Sequence, residues 1–376
     1  MSPGTSVLRG LPLHEVIELT AAQTASCASE CLKTLGMDSR GSSEAITVPG
    51  TAIGSIDIGR LGVLAPLAGY TDLPFRKLLS IWGAGLYFTE MISARAAVLD
   101  CRKTMQLASG DSESQPLCAQ IFGSVPEYMA KAAAALVALG NVDVIDVNMG
   151  CPVRKIVSGG AGSALMKTPD TAVEIVRAVR EAVSVPVTVK MRSGWDSDSI
   201  NAPELAGSCV AAGADAVYIH PRTRSQMFAG QPDWSVARSV VQAVNGKVPV
   251  FANGNIDSYQ KWNSIRELTG CESCMIGRGA LGAPWIFQEI KRGLPSGTIA
   301  EIIGNRGIGL NLWYQLLLSA SHYGERGGIV HMRKQSLFFA RGFKGAKSFR
   351  TSIMSVTNLD EAAEAISGTF DFYWEK

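Results

Sequence analysis

From residue 61 to residue 277 the chain repeats one unit: a short apolar run rich in β-branched residues, followed by an Ala-rich segment with helical spacing. The runs fall at 61–65, 85–89, 117–122, 142–148, 185–191, 216–220, 248–253 and 273–277. Short apolar runs bounded by turn residues read as buried strands. About eight β/α units over some 230 residues is the count for a closed (β/α)8 barrel. An open doubly wound sheet would favour a Gly-x-Gly-x-x-Gly fingerprint after its first strand, and none follows 61–65. After about residue 295 the strand signal disappears, and 310–321 and 329–341 show helical spacing of apolar residues. The expected architecture is a (β/α)8 TIM barrel over 51–295 and a small all-helical domain over 296–376. An amino-terminal extension, 1–50, precedes them, with a helix expected near 13–35 and a Ser/Gly-rich stretch at 41–43.

Of the 376 residues, 47% are hydrophobic and only 18% charged, which favours a large core over disorder. No apolar run approaches the roughly 18 residues needed to cross a bilayer. The first residues lack a basic stretch followed by an apolar one, and Glu15 and Glu18 interrupt them. A soluble cytoplasmic protein with no membrane attachment and no obligate protein partner is therefore expected. The eight cysteines are too sparse for a disulfide framework. Cys271-x-x-Cys274 has no second pair at zinc spacing and runs into apolar Met275-Ile276, so no metal site is expected. Net charge is +2, but its distribution is uneven: between Lys291 and Arg350 the cations are Lys291, Arg292, Arg306, Arg326, Arg333, Lys334, Arg341, Lys344, Lys347 and Arg350, while the acids are only Glu301 and Glu325. That segment is a candidate nucleic-acid surface; its plainer reading is a solvated helical face.

The run at 142–148 ends in Asn148-Met149-Gly150-Cys151-Pro152. Glycine and proline stop a strand, so Cys151 is expected on a loop at the carboxyl end of the sheet, the edge where parallel α/β proteins bind ligands. The thiol alone could be buried filler, a metal ligand, or an acid or nucleophile. Arg154, Lys155 and the glycine-rich 158–163 follow at once, and a flexible cationic loop beside a thiol suits a polyanionic substrate.

In a barrel, residues just past each strand converge on one mouth. Here they are unusually polar: Pro66-Leu67-Ala68-Gly69 follows the first run, then come Gln120, Asn148 with Cys151, Lys190 with Arg192, His220 with Arg222, Asn253-Gly254-Asn255, and Gly277-Arg278-Gly279. The seventh and eighth strand ends often bind phosphate through backbone N–H groups, and both glycine-bearing turns fit that use, Arg278 adding charge. Gln120, Lys190 and His220 would line the mouth at a level suited to a flat polar ring, and a lysine there can stabilise an anionic reduced flavin.

These stretches resemble the tRNA-dihydrouridine synthases of the bacterial, FMN-dependent type. The resemblance is carried, in order, by APLAGYTDLPFR, FTEMISA, DVNMGCPVRKIVSGGAGSALM, VKMRSGW, IHPRTRSQMFAGQPDW, FANGNI and MIGRGALGAPWIF, and more loosely by HYGERGGIVHMRKQSLFFARGFKGAKSFR. It implies FMN as cofactor, NADPH as reductant and tRNA as substrate. It makes Cys151 the proton donor, with FMN held by Pro66, Leu67, Ala68, Gln120, Lys190, His220, Asn253, Gly254, Asn255, Gly277 and Arg278. Asn148, Arg192 and Arg222 fall where the family handles substrate or flavin, and Arg333, Lys334 and Lys347 are candidate tRNA contacts. Two departures are Leu67, where most members carry Met, a volume-conserving change, and the extension 1–50, which the resemblance does not cover. Rival expectations are an FMN barrel acting on a free pyrimidine, which would not need the basic tail, and a tRNA-binding or chaperone barrel that has lost catalysis.

Overall fold

The computed structural model describes residues 11–35, 51–59, 62–99, 102–110 and 112–371. The Ser/Gly-rich stretch at 41–43 and Leu61 lie outside them. The described residues form two compact units, one of residues 51–73 and 84–278, the other of 74–83 and 279–371 with the helix Leu13–Thr34.

The first unit is a parallel barrel. In chain order the strands are β1 (Thr51–Ile53), β2 (Ile56–Gly59), β3 (Val63–Leu64), β4 (Tyr87–Phe88), β5 (Ile92–Ser93), β6 (Leu117–Phe122), β7 (Val144–Met149), β8 (Val187–Arg192), β9 (Ala216–His220), β10 (Val250–Asn253) and β11 (Ser273–Ile276). Hydrogen bonding runs β3-β11-β10-β9-β8-β7-β6-β4, with β5 also on β6. A parallel bridge between Val63 and Leu86 closes the cylinder, and the Leu64 N–H donates to the Leu86 carbonyl at 3.0 Å. The eight staves are the eight expected runs; β5 is a short extra piece beyond β4. Their residues are buried on both faces, as parallel sheets require. The helices between them follow from their apolar spacing: Pro126–Val137 buries Met129, Ala132, Ala133 and Leu136 at helical intervals.

The hairpin β1–β2 has no counterpart in the strand runs read from sequence. Ile53 and Ile58 join Val63, Leu86, Phe88, Cys118, Val144, Ala216, Tyr218, Phe251 and Met275 in one buried cluster. Gly54 sits against Pro186 and near Asp215, the residues just before β8 and β9. The hairpin thus plugs the amino end of the barrel and leaves the carboxyl end as the mouth. Each strand is only a few residues long, too short for alternation to register.

The second unit is all helical from Ile286 onward: Ile286–Arg292, Thr298–Tyr323, Glu325–Phe339, Ala346–Ser355 and Leu359–Phe370. Every residue from Gly307 to Ala320 is buried, so the second of these is its central helix, and its apolar circumference is what a helix surrounded on all sides needs. The helix Leu13–Thr34 packs along it, burying Val16, Thr20, Thr24, Ala28 and Cys31 in one stripe. The two threonine hydroxyls donate to carbonyls four residues back, so their burial leaves no orphan. Cys271 and Cys274, in the barrel, are both buried, and the Cys274 thiol donates to the Trp262 carbonyl. No helix among the described residues is long and apolar enough to cross a membrane.

At Gly328 the helices Thr298–Tyr323 and Glu325–Phe339 meet so closely that a Cβ there would lie 2.4 Å from the backbone of Ala320 and Ser319. Backbone cannot swing aside as a side chain can. Gly328→Ala is therefore expected to cost about 2–4 kcal/mol in urea unfolding despite its helix-propensity gain, and a stabilised variant would show the crossing to be looser than this.

Candidate active site

Side chains alternate along a strand, so every second residue of each stave points into the barrel. Read upward, the inward series runs Val144, Asp146, Asn148 on β7; Cys118, Gln120 on β6; Thr188, Lys190, Arg192 on β8; and Ala216, Tyr218, His220 on β9. Registers place Gln120 beside Asp146, Asn148 beside Lys190, and Arg192 beside His220. The apolar floor gives way to polar side chains within two residues of the mouth. That gradient needs partners, because a buried polar group without one costs free energy.

The partners are explicit. Thr188 Oγ1 and Gln120 Nε2 each donate to the Asp146 carboxylate at 2.7 Å. Gln120 Oε1 accepts from Asn148 Nδ2 at 2.8 Å, and Asn148 Oδ1 accepts the N–H groups of Gly150 at 3.2 Å and Cys151 at 2.9 Å. The Cys151 carbonyl accepts from both the N–H (3.0 Å) and the hydroxyl (2.9 Å) of Ser163.

The flexible, glycine-rich loop expected around the thiol is instead built. It folds as two short helical turns, Arg154–Val157 and Gly162–Lys167, and Ser124 donates to the Gly159 carbonyl at 2.8 Å. Its glycines serve conformation, not mobility: Gly160 and Gly162 have φ of 76° and 61°, and a Cβ on Gly162 would lie 2.8 Å from the Cys151 carbonyl oxygen. Cys151 keeps 8% of its surface exposed, covered yet still reaching the mouth. Arg154 and Lys155 are exposed on the adjoining turn.

The two strand-end arginines are buried and committed to backbone. Arg192 donates from Nε to the Gly150 carbonyl at 2.8 Å and from Nη1 to the carbonyls of Thr223 at 2.9 Å and Met227 at 2.7 Å. Arg222 donates to the carbonyls of Ala229 and Gly230 and, at 3.1 Å, to His220 Nε2. They pin the loop after β9, which presents Phe228, 58% exposed, between the guanidinium groups of Arg192 and Arg278. Sequence reading missed Phe228; the signal available was an aromatic residue inside a motif otherwise rich in charge. Because arginine only donates, His220 Nε2 must accept, which puts the imidazole proton on Nδ1.

Charge states follow from burial. Burial pushes the Cys151 thiol above its ordinary value, against the pull of the Val153 N–H, Arg192 and Lys190, so it holds its proton at neutral pH. Burial, then the charge of Arg192, bring Lys190 down to about 8. His220 is driven well below its usual range by burial and by four neighbouring cations, led by Lys190. It is therefore a neutral hydrogen-bonding group and not the source of positive charge that its place in the constellation first suggests. Burial raises the Asp146 carboxyl to about 7, opposed by its bonds from Thr188 and Gln120 and by Lys190.

Beyond β10 and β11, Asn253 Nδ2 donates to the Met275 carbonyl at 2.8 Å. Gly254 has φ of 137° and Asn255 of 51°. A Cβ at Gly254 would press on the His220 ring at 3.2 Å, so only glycine lets the turn come this near the imidazole. Gly277 lies beside Ala65 and Leu67, which brings the 66–68 turn next to the β11 end, and Arg278 is exposed there. In the helical unit Lys334 and Lys347 are exposed, whereas Arg333 is half-buried, with Nη2 donating to the Val356 carbonyl at 2.7 Å.

A family model described as dihydrouridine synthase (Dus) matches residues 63–371. The probable tRNA-dihydrouridine synthase of Rickettsia conorii is 37% identical over 304 residues, 80% of this chain and 90% of its own length. The tRNA-dihydrouridine synthase B of Vibrio cholerae is 37% identical over 319 residues, 85% of this chain and 98% of its own. Among solved structures, histamine dehydrogenase from Rhizobium sp. 4-9 superposes with a TM-score of 0.50 at 13% identity, covering 73% of this chain and 51% of that one. TcOYE with pHBA gives 0.50 at 10% identity, covering 66% and 93%. At such identities the likeness is one of barrel fold.

The Asp146 carboxyl gives a pH test of this polar interior. The folded chain binds that proton more tightly than the unfolded chain, whose carboxyl has the ordinary value of 3.8. Stability from this group is therefore full below about pH 4 and is lost as pH rises towards about 7. We expect Asp146→Asn to remove that share of the fall in unfolding free energy between about pH 4 and pH 7; a slope identical to the parent's would mean the carboxyl is hydrated.

Proposed function

The chain belongs to the dihydrouridine synthase family, and from that premise we propose that it reduces specific uridines of tRNA to 5,6-dihydrouridine, using FMN with NADPH as reductant. The observation that carries the reading is a thiol at the barrel mouth whose loop is held by Asn148 and Ser163, next to an inward ring of Gln120, Asn148, Lys190 and His220.

The residues present fit FMN. Gln120, Lys190 and His220 offer amide, ammonium and Nδ1–H donors on the inner wall, the set that the polar edge of a flat heterocycle requires. The close approach of Gly254 to His220 and the left-handed Asn255 leave a turn without side-chain bulk near exposed Arg278, suited to a phosphate. Pro66, Leu67 and Ala68 would wall the cofactor on the side of Gly277. When bound, FMN supplies the hydride that C6 of the uracil requires.

The remaining steps belong to the chain. Saturating the C5–C6 bond takes a hydride at C6 and a proton at C5, and Cys151 Sγ is the proton donor. A thiol suits the task because it is protonated at neutral pH yet gives up its proton readily. Lys190, on the inner wall and, unlike Arg192 and Arg222, without a bond to a backbone carbonyl, stabilises negative charge developing on the pyrimidine carbonyls. Arg192 and Arg222 act at one remove, by holding the Cys151 loop and the Phe228 loop in place. Everting a base from folded RNA costs a few kcal/mol, which must be recovered from contacts elsewhere. Lys334 and Lys347, exposed on the helical unit, would contact phosphates, while Arg333 is first a structural pin.

Cys151→Ala should retain bound flavin and its reduction by NADPH while dihydrouridine formation falls by about 10²-fold or more; normal turnover in that variant would remove the thiol from the mechanism. Lys334→Ala with Lys347→Ala should weaken tRNA binding and reduce the slope of log K against log salt by about 1–2, leaving flavin content unchanged. Unaltered affinity would move the RNA surface elsewhere. Arg333→Ala should instead lower unfolding stability by about 1–3 kcal/mol through the orphaned Val356 carbonyl.

A further inference from the structure

Asp146 is 0% exposed, two residues below Asn148 on β7, and the proposed reaction makes no use of it. Burying an ionised carboxylate costs several kcal/mol unless its lone pairs are bonded. What distinguishes this one is the direction in which its bonds propagate. Its Oδ1 takes the Thr188 hydroxyl and its Oδ2 takes Gln120 Nε2, each at 2.7 Å, so Gln120 has its amide nitrogen turned towards Asp146. That choice leaves Gln120 Oε1 facing Asn148, which must answer with Nδ2. Asn148 is then left with Oδ1 facing the loop, where it takes the N–H groups of Gly150 and Cys151. Each link has a single sense. Reversing any amide sets donor against donor at one end and acceptor against acceptor at the other, inside a site with little water to repair the mismatch.

We infer that Asp146 is a positioning residue for Cys151: by fixing the sense of the Gln120–Asn148 amide chain from beneath, it holds the backbone of the thiol loop in the geometry from which Sγ delivers its proton. Thr188 donates to the other carboxyl oxygen and so fixes the second end of the group. The loop's second anchor, Ser163 on the Cys151 carbonyl, grips the opposite side of the same residue. The peptide on either side of the thiol is therefore held by independent side chains, and only the Asn148 side depends on a buried carboxyl group. The inference rests on the proposed reaction for its kinetic consequence, not for the loop geometry.

The test compares Asp146→Asn with Asp146→Leu in the full-length holoenzyme. Asparagine can present Oδ1 to Gln120 and Nδ2 to the Thr188 hydroxyl, so it preserves the sense of the chain; leucine fills the space and presents nothing. We expect Asp146→Leu to speed hydrogen exchange of the Gly150 and Cys151 amides by about tenfold or more, and to lower kcat for tRNA reduction by a similar factor. The rate of flavin reduction by NADPH should stay within about twofold, and Asp146→Asn should remain near the parent in all three. A general loss of structure would move flavin reduction as well, which separates positioning from bulk destabilisation. If the leucine variant does not accumulate as holoenzyme, Asp146→Ala, which admits no steric clash, carries the same comparison. Unchanged exchange at Gly150 and Cys151, or an asparagine variant as impaired as the leucine one, would overturn the assignment. The exchange measurement uses no tRNA, so a parent enzyme that formed no dihydrouridine would count against the reaction while the positioning role was still decided by exchange.

Discussion

Closure of the parallel barrel is the constraint on which everything else depends. Once β3 bridges to the strand after residue 85 and the sheet becomes a cylinder, alternate side chains have nowhere to go but inward. Residues a hundred positions apart, Gln120 and His220, are then fixed on one inner wall. The amino end can be filled with apolar side chains and closed by the β1–β2 hairpin. The carboxyl end cannot, because its residues are polar, and the hydrogen-bond chain from Asp146 to Cys151 supplies partners to the polar groups along it.

Much of this was legible in the sequence because the strong signals were local. Each of the eight staves is a run of β-branched or apolar residues followed by a turn, and the mouth residues could be read off as whatever came next. What the sequence did not carry was pairing. Nothing in the spacing of Asp146, Gln120 and Asn148 says that one amide orients another. Arg192 and Arg222 looked like charges for a substrate because carbonyl partners in a loop some thirty residues away, or within the next ten, leave no sequence trace. The glycines at 160 and 162 looked like flexibility because composition cannot tell a hinge from a required positive φ. The β1–β2 hairpin was missed for a different reason, since strands of three and four residues are shorter than the window in which alternation becomes visible.

The helical unit shows the same division. Its two long helices were evident from apolar spacing, and its excess of cations over acids was evident from composition. Which cations face solvent was not: Lys334 and Lys347 do, while Arg333, adjacent in sequence to Lys334, turns back to the Val356 carbonyl. One step along a helix rotates a side chain by about 100°, so a charge run read linearly mixes surface with scaffold. The amino-terminal helix adds a further layer on the central helix by a stripe of small and back-bonded residues, Thr20, Thr24 and Ala28, that allow close approach.

The central claim is that the Cys151 thiol enters the reaction as an acid and must carry its proton when the pyrimidine arrives. Stopped-flow mixing of NADPH-reduced holoenzyme with tRNA, following flavin reoxidation from about pH 6 to pH 10, measures that step directly. The rate should be level through neutrality and decline as pH rises, first as Lys190 loses its proton near pH 8 and further above the ordinary range of a cysteine thiol, since burial raises this one. A rate that climbs with pH through the same range would mean that the thiolate is the working form, and would contradict the account.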